Sequence, residues 1–515
     1  MSPAFGPYLK ARGNRRVTAA SETGARSESA VAVNPQNVNN VVGASKKFID
    51  PAKYHFTLAP VWTKDGGITW HEAELPHDPE WDGMTDPTVA FDGNGHVFLV
   101  AEGLKFREPV NVDGLGMSVF RSSDGGETWE QPKPLTHEPT DDKQWVLCDN
   151  NPNSPHHGNV YVAWGAGQPL RFCRSLNGGD DWQGKGSEPS GSTIVERAFA
   201  PDLSISADGT LHIFWHMDAS NSIEHVRSTD GGETFEPQRS IVTDVKSLRG
   251  NLAQTGPWPH FDHGQFRVIT VVTSCASLHP DPAAPTGPFV SALYVAWADM
   301  REGRSRIYWT FSPDDGVSWD PPKPLLPQVP WGDKHCFHPQ IVATGTGDVG
   351  CAFYTFGEEE QGSWRIHLRI APCFFVEGFS APLIVTSRAW DPLVDAPKAN
   401  GLPDVDFIGE YFGLDAGASH FRLLWTDTRN GRQELYSDYV QVETASFLSE
   451  LADQTLSGVI EDGGGLVFVG GRLHRIPPSG PARDAIEAIA GLGFEDADAT
   501  AVEAAVANAV KARSG

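Results

Sequence analysis

The chain has 515 residues, with 40 Lys and Arg against 66 Asp and Glu, so its formal net charge is −26 at pH 7. This acidic balance disfavours nucleic acid and anionic membrane surfaces as partners, because both are bound through clustered cations. Hydrophobic residues make up 39% of the chain and charged residues 21%, which is typical of a globular protein and excludes wholesale disorder. The 53 Gly, 39 Pro and 16 Trp favour an all-β fold of many short strands joined by tight turns.

Membrane, export and metal signals are weak. No apolar run reaches the roughly 20 residues that a membrane-spanning helix needs. The stretch from Met1 to Thr18 is basic and has no apolar centre, so the sequence as given shows no secretory signal, and the location is left open between secreted and cytoplasmic. The six cysteines form no C-x-x-C pair, and we predict neither a metal site nor a cofactor.

An eight-residue pattern recurs along the first two thirds of the chain. Its clearest copy is Ser122–Trp129, with the sequence SSDGGETW. Four further copies share its central Asp or Asn and its glycine, and four of the five copies end in Trp: Thr63–Trp70, Ser175–Trp182, Ser228–Phe235 and Ser312–Trp319. Repeats at such intervals are typical of solenoids and propellers.

Each copy predicts a tight turn between two strands. The carboxylate or amide oxygen can accept hydrogen bonds from nearby backbone N–H groups, and glycine provides the positive φ that such turns require. The closing Trp or Phe is then free to pack between neighbouring sheets. The pattern resembles the Asp-box, or BNR repeat, of the sialidase superfamily and related β-propellers. The resemblance implies a propeller fold, with these turns at the rim opposite the functional end, and it says little about the reaction.

Hairpins of alternating apolar residues accompany the turns and define the modules. Each reads as the first hairpin of a four-stranded blade. Seven such segments occur, so we favour seven blades over the six of the sialidases: Ser29–Ser45, Pro87–Val100, Trp145–Trp164, Pro201–Trp215, Pro259–Trp297, Pro339–Tyr354 and Asp404–Trp425. An insertion between Leu278 and Pro288 leaves six as the alternative.

Three regions follow from these patterns. We predict an N-terminal arm over residues 1–28, the propeller over 29–446, and a C-terminal extension with a short strand and helices over 447–515. In the extension, Val502, Val506 and Val510 recur at helical spacing, which indicates a small amphipathic helix packed as an appendage.

Candidate site residues are the polar side chains just before each innermost strand, where propeller loops converge on the central channel. Carboxyl and phenol groups suit glycoside cleavage, which uses two carboxyl groups or, in sialidases, a tyrosine nucleophile. The predicted catalytic residues are therefore Asp86, Asp202, Glu410 and Tyr411. The predicted substrate-binding residues are Lys143, Trp145, Arg197, Trp258, Arg301, His335, His338 and Arg429.

The resemblance implies three arginines that clamp a substrate carboxylate and an Arg-Ile-Pro near the first strand. Here the only Arg-Ile-Pro is Arg475–Pro477, beyond the last module, and no arginine triad can be assigned. We expect a sialidase-like glycoside hydrolase with a carbohydrate or similar polar ligand. Two alternatives remain open: a polysaccharide lyase with a His or Tyr base, and a non-catalytic propeller that binds a glycan or a protein. The substrate and the oligomeric state are left open.

Overall fold

The computed structural model describes residues 8–76, 78–107, 111–167, 169–281, 284–360, 362–374, 378–398 and 404–443, and the strands Gly465–Val469 and Arg472–Ile476. Residues 10–441 form one compact unit, and residues 1–9 with 442–515 form another. The second unit contains the antiparallel pair Gly465–Val469 and Arg472–Ile476. The predicted C-terminal helix lies outside the described residues, and the three predicted domain boundaries stay predictions.

Seven antiparallel sheets follow one another along residues 8–443, six of four strands and one of five. We call them blades 1 to 7. The strands of blades 1 to 4 are, in order, Arg26–Val33, Val41–Asp50, His55–Thr63 and His71–Glu72; Gly83–Phe91, Val97–Arg107, Asn111–Ser122 and Lys133–Pro134; Trp145–Cys148, Val160–Trp164, Leu170–Ser175 and Ser192–Val195; Asp202–Ile205, Leu211–Met217, Ser222–Ser228 and Arg239–Val242.

Blades 5 to 7 continue the same order. Their strands are Val272–Asp281, Ala284–Asp299, Arg306–Ser312 and Lys323–Pro324; His335–Ala343, Val349–Glu360, Ser363–Cys373 and Leu383–Ile384; Gly413–Ala416, His420–Asp427 and Glu434–Glu443, with the N-terminal strands Tyr8–Ala11 and Arg15–Arg16. Outside the blades lie the hairpin of Ala253–Thr255 and Trp258–His260 and a short 3-10 helix at Pro51–Lys53. The predicted insertion in blade 5 extends the first hairpin, whose strands end at Asp281 and resume at Ala284.

The blades close into a ring, which confirms the predicted seven-bladed propeller. The first strand of each blade contacts the first strand of the next, and Gly413–Ala416 of blade 7 contacts Arg26–Val33 of blade 1. The N-terminal residues complete the last sheet, because Arg15 pairs with Ser437. Apolar cores lie between adjacent blades; one combines Val42 of blade 1 with Leu99 of blade 2.

Side chains on the first strands also bond the blades to each other. The Asp202 carboxylate of blade 4 accepts a hydrogen bond from the Ser274 backbone N–H of blade 5 at 2.8 Å. Asp415 of blade 7 does the same for the Val33 N–H of blade 1 at 2.7 Å. These bonds satisfy buried backbone groups that the strand pairing within a blade leaves open.

The five repeated segments are turns after the third strands of blades 1 to 5, and we call them the aspartate turns. In the second, Asp124 accepts hydrogen bonds from the backbone N–H and the hydroxyl of Thr128, at 3.0 and 2.6 Å. The Ser122 hydroxyl donates to Asp124 at 2.8 Å. The carboxylate is therefore used by its own turn, as the sequence predicts.

Each aspartate turn packs on the preceding blade. The ring of Phe235 lies 5.0 Å from that of Phe172, in blade 3, with an edge-on geometry. A Cβ on Gly126, which has φ 94°, would come within 2.5 Å of Val42 in blade 1. Because a blade is a simple meander, the end of its third strand and the start of its first strand lie at opposite ends. The turns therefore occupy the end of the propeller opposite the starts of the first strands.

Candidate functional site

Six charged side chains meet where the first strands begin, and we call them the central charge cluster. They come from blades 1 to 3 and from the segments before blades 5 and 7, and each residue is buried or nearly so. The members are Glu28, Lys46, Asp86, Lys143, Arg267 and Glu410. Partners so distant in sequence meet only because the ring closes.

Lys143 lies at the middle of the cluster. Its Nζ is 2.7 Å from Asp86 Oδ2 and 2.7 Å from Glu410 Oε2. The two carboxylate oxygens are therefore at most 5.4 Å apart. Charge-assisted contacts of this length are the stronger kind of polar interaction, and burial limits their screening by water.

The other two cations fix the outer carboxylates. Lys46 Nζ lies 2.5 Å from Glu28 and 3.3 Å from Asp86. Arg267 donates from Nε to Glu410 at 2.6 Å, and its guanidinium stacks on Trp258 at 3.9 Å from the ring centroid. Trp258 is thus half-buried over the cation rather than placed to receive a ligand by itself.

The backbone at this end is strained in a repeated way. Five non-glycine residues at the starts of first strands have left-handed φ values between 46° and 59°: Glu28, Asp86, Lys143, Ala200 and His338. Each such residue costs about 1–3 kcal/mol, and strain of this kind concentrates at functional sites. Three of the five belong to the central charge cluster, so the strained positions coincide with the buried charges.

Opposing effects set the protonation states of the cluster. Burial tends to raise the pKa of Glu410, but Arg267 and Lys143 outweigh it and lower that pKa. Burial likewise opposes ionisation of Asp86, and Lys143 and Lys46 reverse the effect and hold its pKa well below the usual range. For Glu28, burial and the nearby Asp86 charge prevail and raise the pKa.

A cavity adjoins the cluster and contains all four predicted catalytic residues in its lining. The lining residues that matter here are Asp86, Lys143, Trp145, Asp202, Glu410 and Tyr411. Adjacent residues such as Glu410 and Tyr411 would point to opposite faces if they were part of a strand. They precede the strand Gly413–Ala416 and follow Gly409, with φ 93°, so strand alternation does not apply to them.

Asp202 and Tyr411 contribute groups with raised pKa values to this cavity. Burial raises the pKa of Asp202 to about 7, even though backbone N–H groups of Ser274 and Leu203 favour its ionised form. Burial and the nearby carboxylates raise the pKa of Tyr411 well above its ordinary value, and its hydroxyl lies 3.4 Å from the Pro87 carbonyl. The tyrosine therefore stays neutral near pH 7, and Asp202 titrates there.

The remaining predicted binding residues divide into two groups. His338 is buried beside Glu410 and Arg267, and burial is the main reason that its pKa falls to about 3. His335 instead stacks on Phe261 at 4.1 Å and accepts from the Ser305 N–H at 3.2 Å, as part of the packing. Arg197 is exposed and is not in the cavity lining.

Arg301 and Arg429 are held by local ion pairs and are not brought to the cluster. The Arg301 guanidinium contacts both carboxylate oxygens of Asp299, at 2.9 and 2.6 Å, and lies over the Tyr308 ring. Arg429 repeats this arrangement with Asp427 and Tyr436. The shared W-x-D-x-R sequence thus places each arginine in a local ion pair, and Arg301 and Arg429 are not in the lining of this cavity.

Sequence analysis missed three members of the cluster, Glu28, Lys46 and Arg267. A usable signal exists for two of them, because Glu28 lies just before the apolar run 30–33 and Lys46 just after the apolar and small-residue run 41–45 of their strands. Asp142, next to Lys143, is a further buried carboxyl whose pKa is raised to about 6, by burial above all.

The described residues form neither a metal-binding group nor a membrane-spanning helix. Among the residues that the structure describes, no group of three or more His, Cys, Asp and Glu is arranged to hold a metal ion. In the same part of the chain, no helix is long and apolar enough to cross a membrane. All six cysteines are buried free thiols.

Comparisons with known proteins return distant structural likenesses. No protein-family model and no curated protein matches the sequence. A protein of unknown function from Dyadobacter fermentans is 13% identical, with a TM-score of 0.45 over 84% of this chain and 99% of that one. The leech intramolecular trans-sialidase, with 2,7-anhydro-Neu5Ac, is 13% identical with a TM-score of 0.43, covering 68% and 67%. The fucose-recognising, six-bladed lectin of Aleuria aurantia is 11% identical with a TM-score of 0.37, covering 72% and 98%.

Proposed function

We propose that the protein is a glycoside hydrolase of sialidase-like propeller architecture, which cleaves a glycosidic bond in the cavity beside the central charge cluster. The observation that carries the proposal is the pairing of unlike carboxyl groups in one lining. Asp86 and Glu410 have lowered pKa values, and Asp202 has a pKa near 7. Environments that separate the pKa values of neighbouring acids supply both a proton donor and an anion at one pH.

In this proposal Asp202 donates its proton to the leaving-group oxygen as the bond to the anomeric carbon breaks. The Asp86 and Glu410 carboxylates stabilise the positive charge that develops on the sugar ring. Water then adds to the anomeric carbon and returns a proton to Asp202. Lys143 and Arg267 keep the two carboxylates ionised and positioned, and neutral Tyr411 acts as a hydrogen-bonding group rather than as a tyrosinate nucleophile.

The test is hydrolysis of a panel of nitrophenyl glycosides and natural oligosaccharides by the wild type and by Asp202→Asn, Glu410→Gln, Asp86→Asn and Tyr411→Phe. We expect losses of about a hundredfold or more in kcat for Asp202→Asn and Glu410→Gln, and a smaller loss for Tyr411→Phe. If all four variants retain wild-type turnover, the assignment is wrong.

Asp415→Asn is the matched control. Asp415, like Asp202, is a buried carboxylate on a first strand that accepts a backbone N–H from the next blade, but it is not in the lining of this cavity. Equal losses in the two variants would show that Asp202 acts by joining blades rather than by donating a proton.

One observation favours the alternative of a non-catalytic sugar-binding propeller. Asp86 and Glu410 already contact cations, which leaves them less available to a transition state than free carboxylates would be. A binding protein would retain glycans in calorimetry and release no product. The lyase alternative has less support, because His335 and His338, with pKa values lowered to about 4 and 3, are weak bases at neutral pH.

A further inference from the structure

The lining of the candidate cavity is rich in acceptors. Asp86 and Glu410 present ionised carboxylates to it, and the Gln144 side chain is also in the lining. Gln144 is 5% exposed, and its Nε2 donates to the backbone carbonyls of Asp86 and Val100. Its Oε1 is buried and has no hydrogen-bond partner among the described residues. A buried acceptor without a donor is destabilising, so it favours a ligand that brings one.

The cations of this region are already engaged by protein carboxylates. Lys143 is in the lining, but its Nζ lies 2.7 Å from both Asp86 and Glu410. Lys46 contacts Glu28 and Asp86, and Arg267 contacts Glu410. An incoming carboxylate would have to take one of these cations away from a buried anion, which would then be left uncompensated.

Two further carboxyl groups, those of Glu102 and Asp142, lie close to the cluster. Glu102 interacts with Asp86 and Asp142, and Asp142 interacts with Asp86 and Lys143. Together with Glu28, Asp86 and Glu410 they place five carboxyl groups around the three cations Lys46, Lys143 and Arg267, and only Asp86 and Glu410 have lowered pKa values. Burial above all, and then the neighbouring carboxylates, raise the pKa of Glu102 and of Asp142, so the ionised form of each is disfavoured.

The arginines that sequence analysis assigned to substrate do not add a cation to the lining of the cavity. Asp299 and Asp427 hold Arg301 and Arg429. The exposed Arg197 is not in the lining. An acidic substituent on a sugar would therefore find no cation in this lining that is not already in contact with a protein carboxylate.

We propose that the sugar unit bound in this cavity has no carboxylate and binds through hydroxyl or ammonium donors, so that neutral and amino sugars are preferred over sialic and uronic acids. The inference rests on the proposed function, since it takes the cavity as the sugar site. A hydroxyl or an ammonium can donate to Gln144 Oε1 and to the carboxylates, whereas an ionised carboxylate only accepts.

The experiment is isothermal titration of the full chain at pH 7 with matched sugars that differ in one substituent. The probes are glucose, galactose and mannose, each with its 2-amino form and its uronic acid, and N-acetylneuraminic acid, up to their solubility limits. For at least one ring configuration we expect the neutral or amino form to bind at least about tenfold more tightly than the acid. Gln144→Leu should weaken the neutral and amino forms.

Three outcomes overturn the inference: an acid form that binds as tightly as its neutral partner or more tightly, tight binding of N-acetylneuraminic acid, or binding by none of the neutral and amino sugars. Hydrolysis is measured in a separate assay. Selective binding without turnover would reject the hydrolase and leave the inference standing. Turnover of sialosides or uronides would reject the inference and leave the hydrolase standing.

Discussion

The aspartate turns and the central charge cluster both use aspartate side chains, but for different purposes. In a turn, Asp124 finds its donors within four residues, and its carboxylate remains partly open to solvent. In the cluster, Asp86 contacts Lys46 and Lys143, which come from other blades. Because the donors of a turn are local, the same turn can be repeated in several blades. Because the cations of the cluster come from distant parts of the chain, the cluster exists only in the closed ring.

Protonation separates the two regions as well. Asp65 and Asp124 have lowered pKa values: burial is the largest single effect and raises them, but the hydrogen bonds from Thr69 and Thr128 and their neighbours together outweigh it. The pKa values of Asp230 and Asp314 are lowered in the same way, so all four turns that have a central aspartate shift in one direction. At the cluster end the shifts go both ways, down for Glu410 and up for Glu28 and Asp202. Acids whose pKa values are shifted in opposite directions are typical of candidate functional sites.

Removal of the central cation should give the largest effect on stability. Lys143→Met leaves Asp86 and Glu410 buried with one cation fewer, and we expect the free energy of unfolding to fall by about 3–5 kcal/mol. Chemical denaturation of the purified variant measures the change. The control is Lys133→Met, whose ammonium bonds the carbonyls of Gly179 and Asp180 near the turns. Equal losses in the two variants would remove the distinction between the regions.

The pH dependence of hydrolysis should follow Asp202. Because its folded pKa is raised to about 7, the proton donor is present below that pH and is lost as pH rises through it. Turnover at pH 8 should thus be about tenfold below the plateau. The same shift makes folding more favourable below the unfolded pKa, and that contribution disappears as pH passes about 7.

Asp202→Asn should abolish the upper limb of the pH profile and leave a low, flat rate. Asp415→Asn should keep the limb at its wild-type position. An unchanged limb in Asp202→Asn would assign the titration to another group, of which Glu28 is the first to consider.

In the turns, Asp124→Ala should cost about 1 kcal/mol, because the Thr128 N–H and hydroxyl lose a charged acceptor but can still reach water. Turnover should be unchanged, since the turns lie at the other end of the propeller. Thermal or chemical denaturation together with the glycoside assay measures both quantities. A loss of turnover at constant stability would connect the turn to the site and contradict the comparison.

The smallest effect is expected for Asp124→Asn. The third turn already has an asparagine, and the Asn177 amide oxygen accepts from the Asp181 N–H at 3.0 Å. We therefore expect a change of only a few tenths of a kcal/mol. A loss as large as that of Asp124→Ala would show that the charge of the carboxylate, rather than its oxygen geometry, stabilises the turn.

The propeller was predictable because its signals are local and repeated. The segment Ser122–Trp129 contains its own donors, acceptor and glycines, and the alternating hairpins give one blade each. Seven modules counted in the sequence are seven sheets in the structure. The predicted catalytic residues share a lining for a related reason, since each lies just before a first strand or in its first half, and the first strands converge.

The charges that organise the site were less predictable, because their partners depend on ring closure. Lys46 lies on the second strand of blade 1 and contacts Asp86 of blade 2. No spacing in the sequence indicates that pairing. Arg301 shows the opposite case, because its partner Asp299 is only two residues away and the pairing is visible in the sequence.

The shared seventh sheet has a consequence for how the ring assembles. Arg15 pairs with Ser437, and the Arg12 N–H donates to the Tyr439 carbonyl, so the outermost strand of the final blade comes from the beginning of the chain. During synthesis the strands Tyr8–Ala11 and Arg15–Arg16 cannot form this pairing until the strand Glu434–Glu443 has been made, more than four hundred residues later. Closure is therefore a late, long-range event, and a nascent chain of six blades lacks both the partner strand Glu434–Glu443 and the Glu410 that completes the charge network.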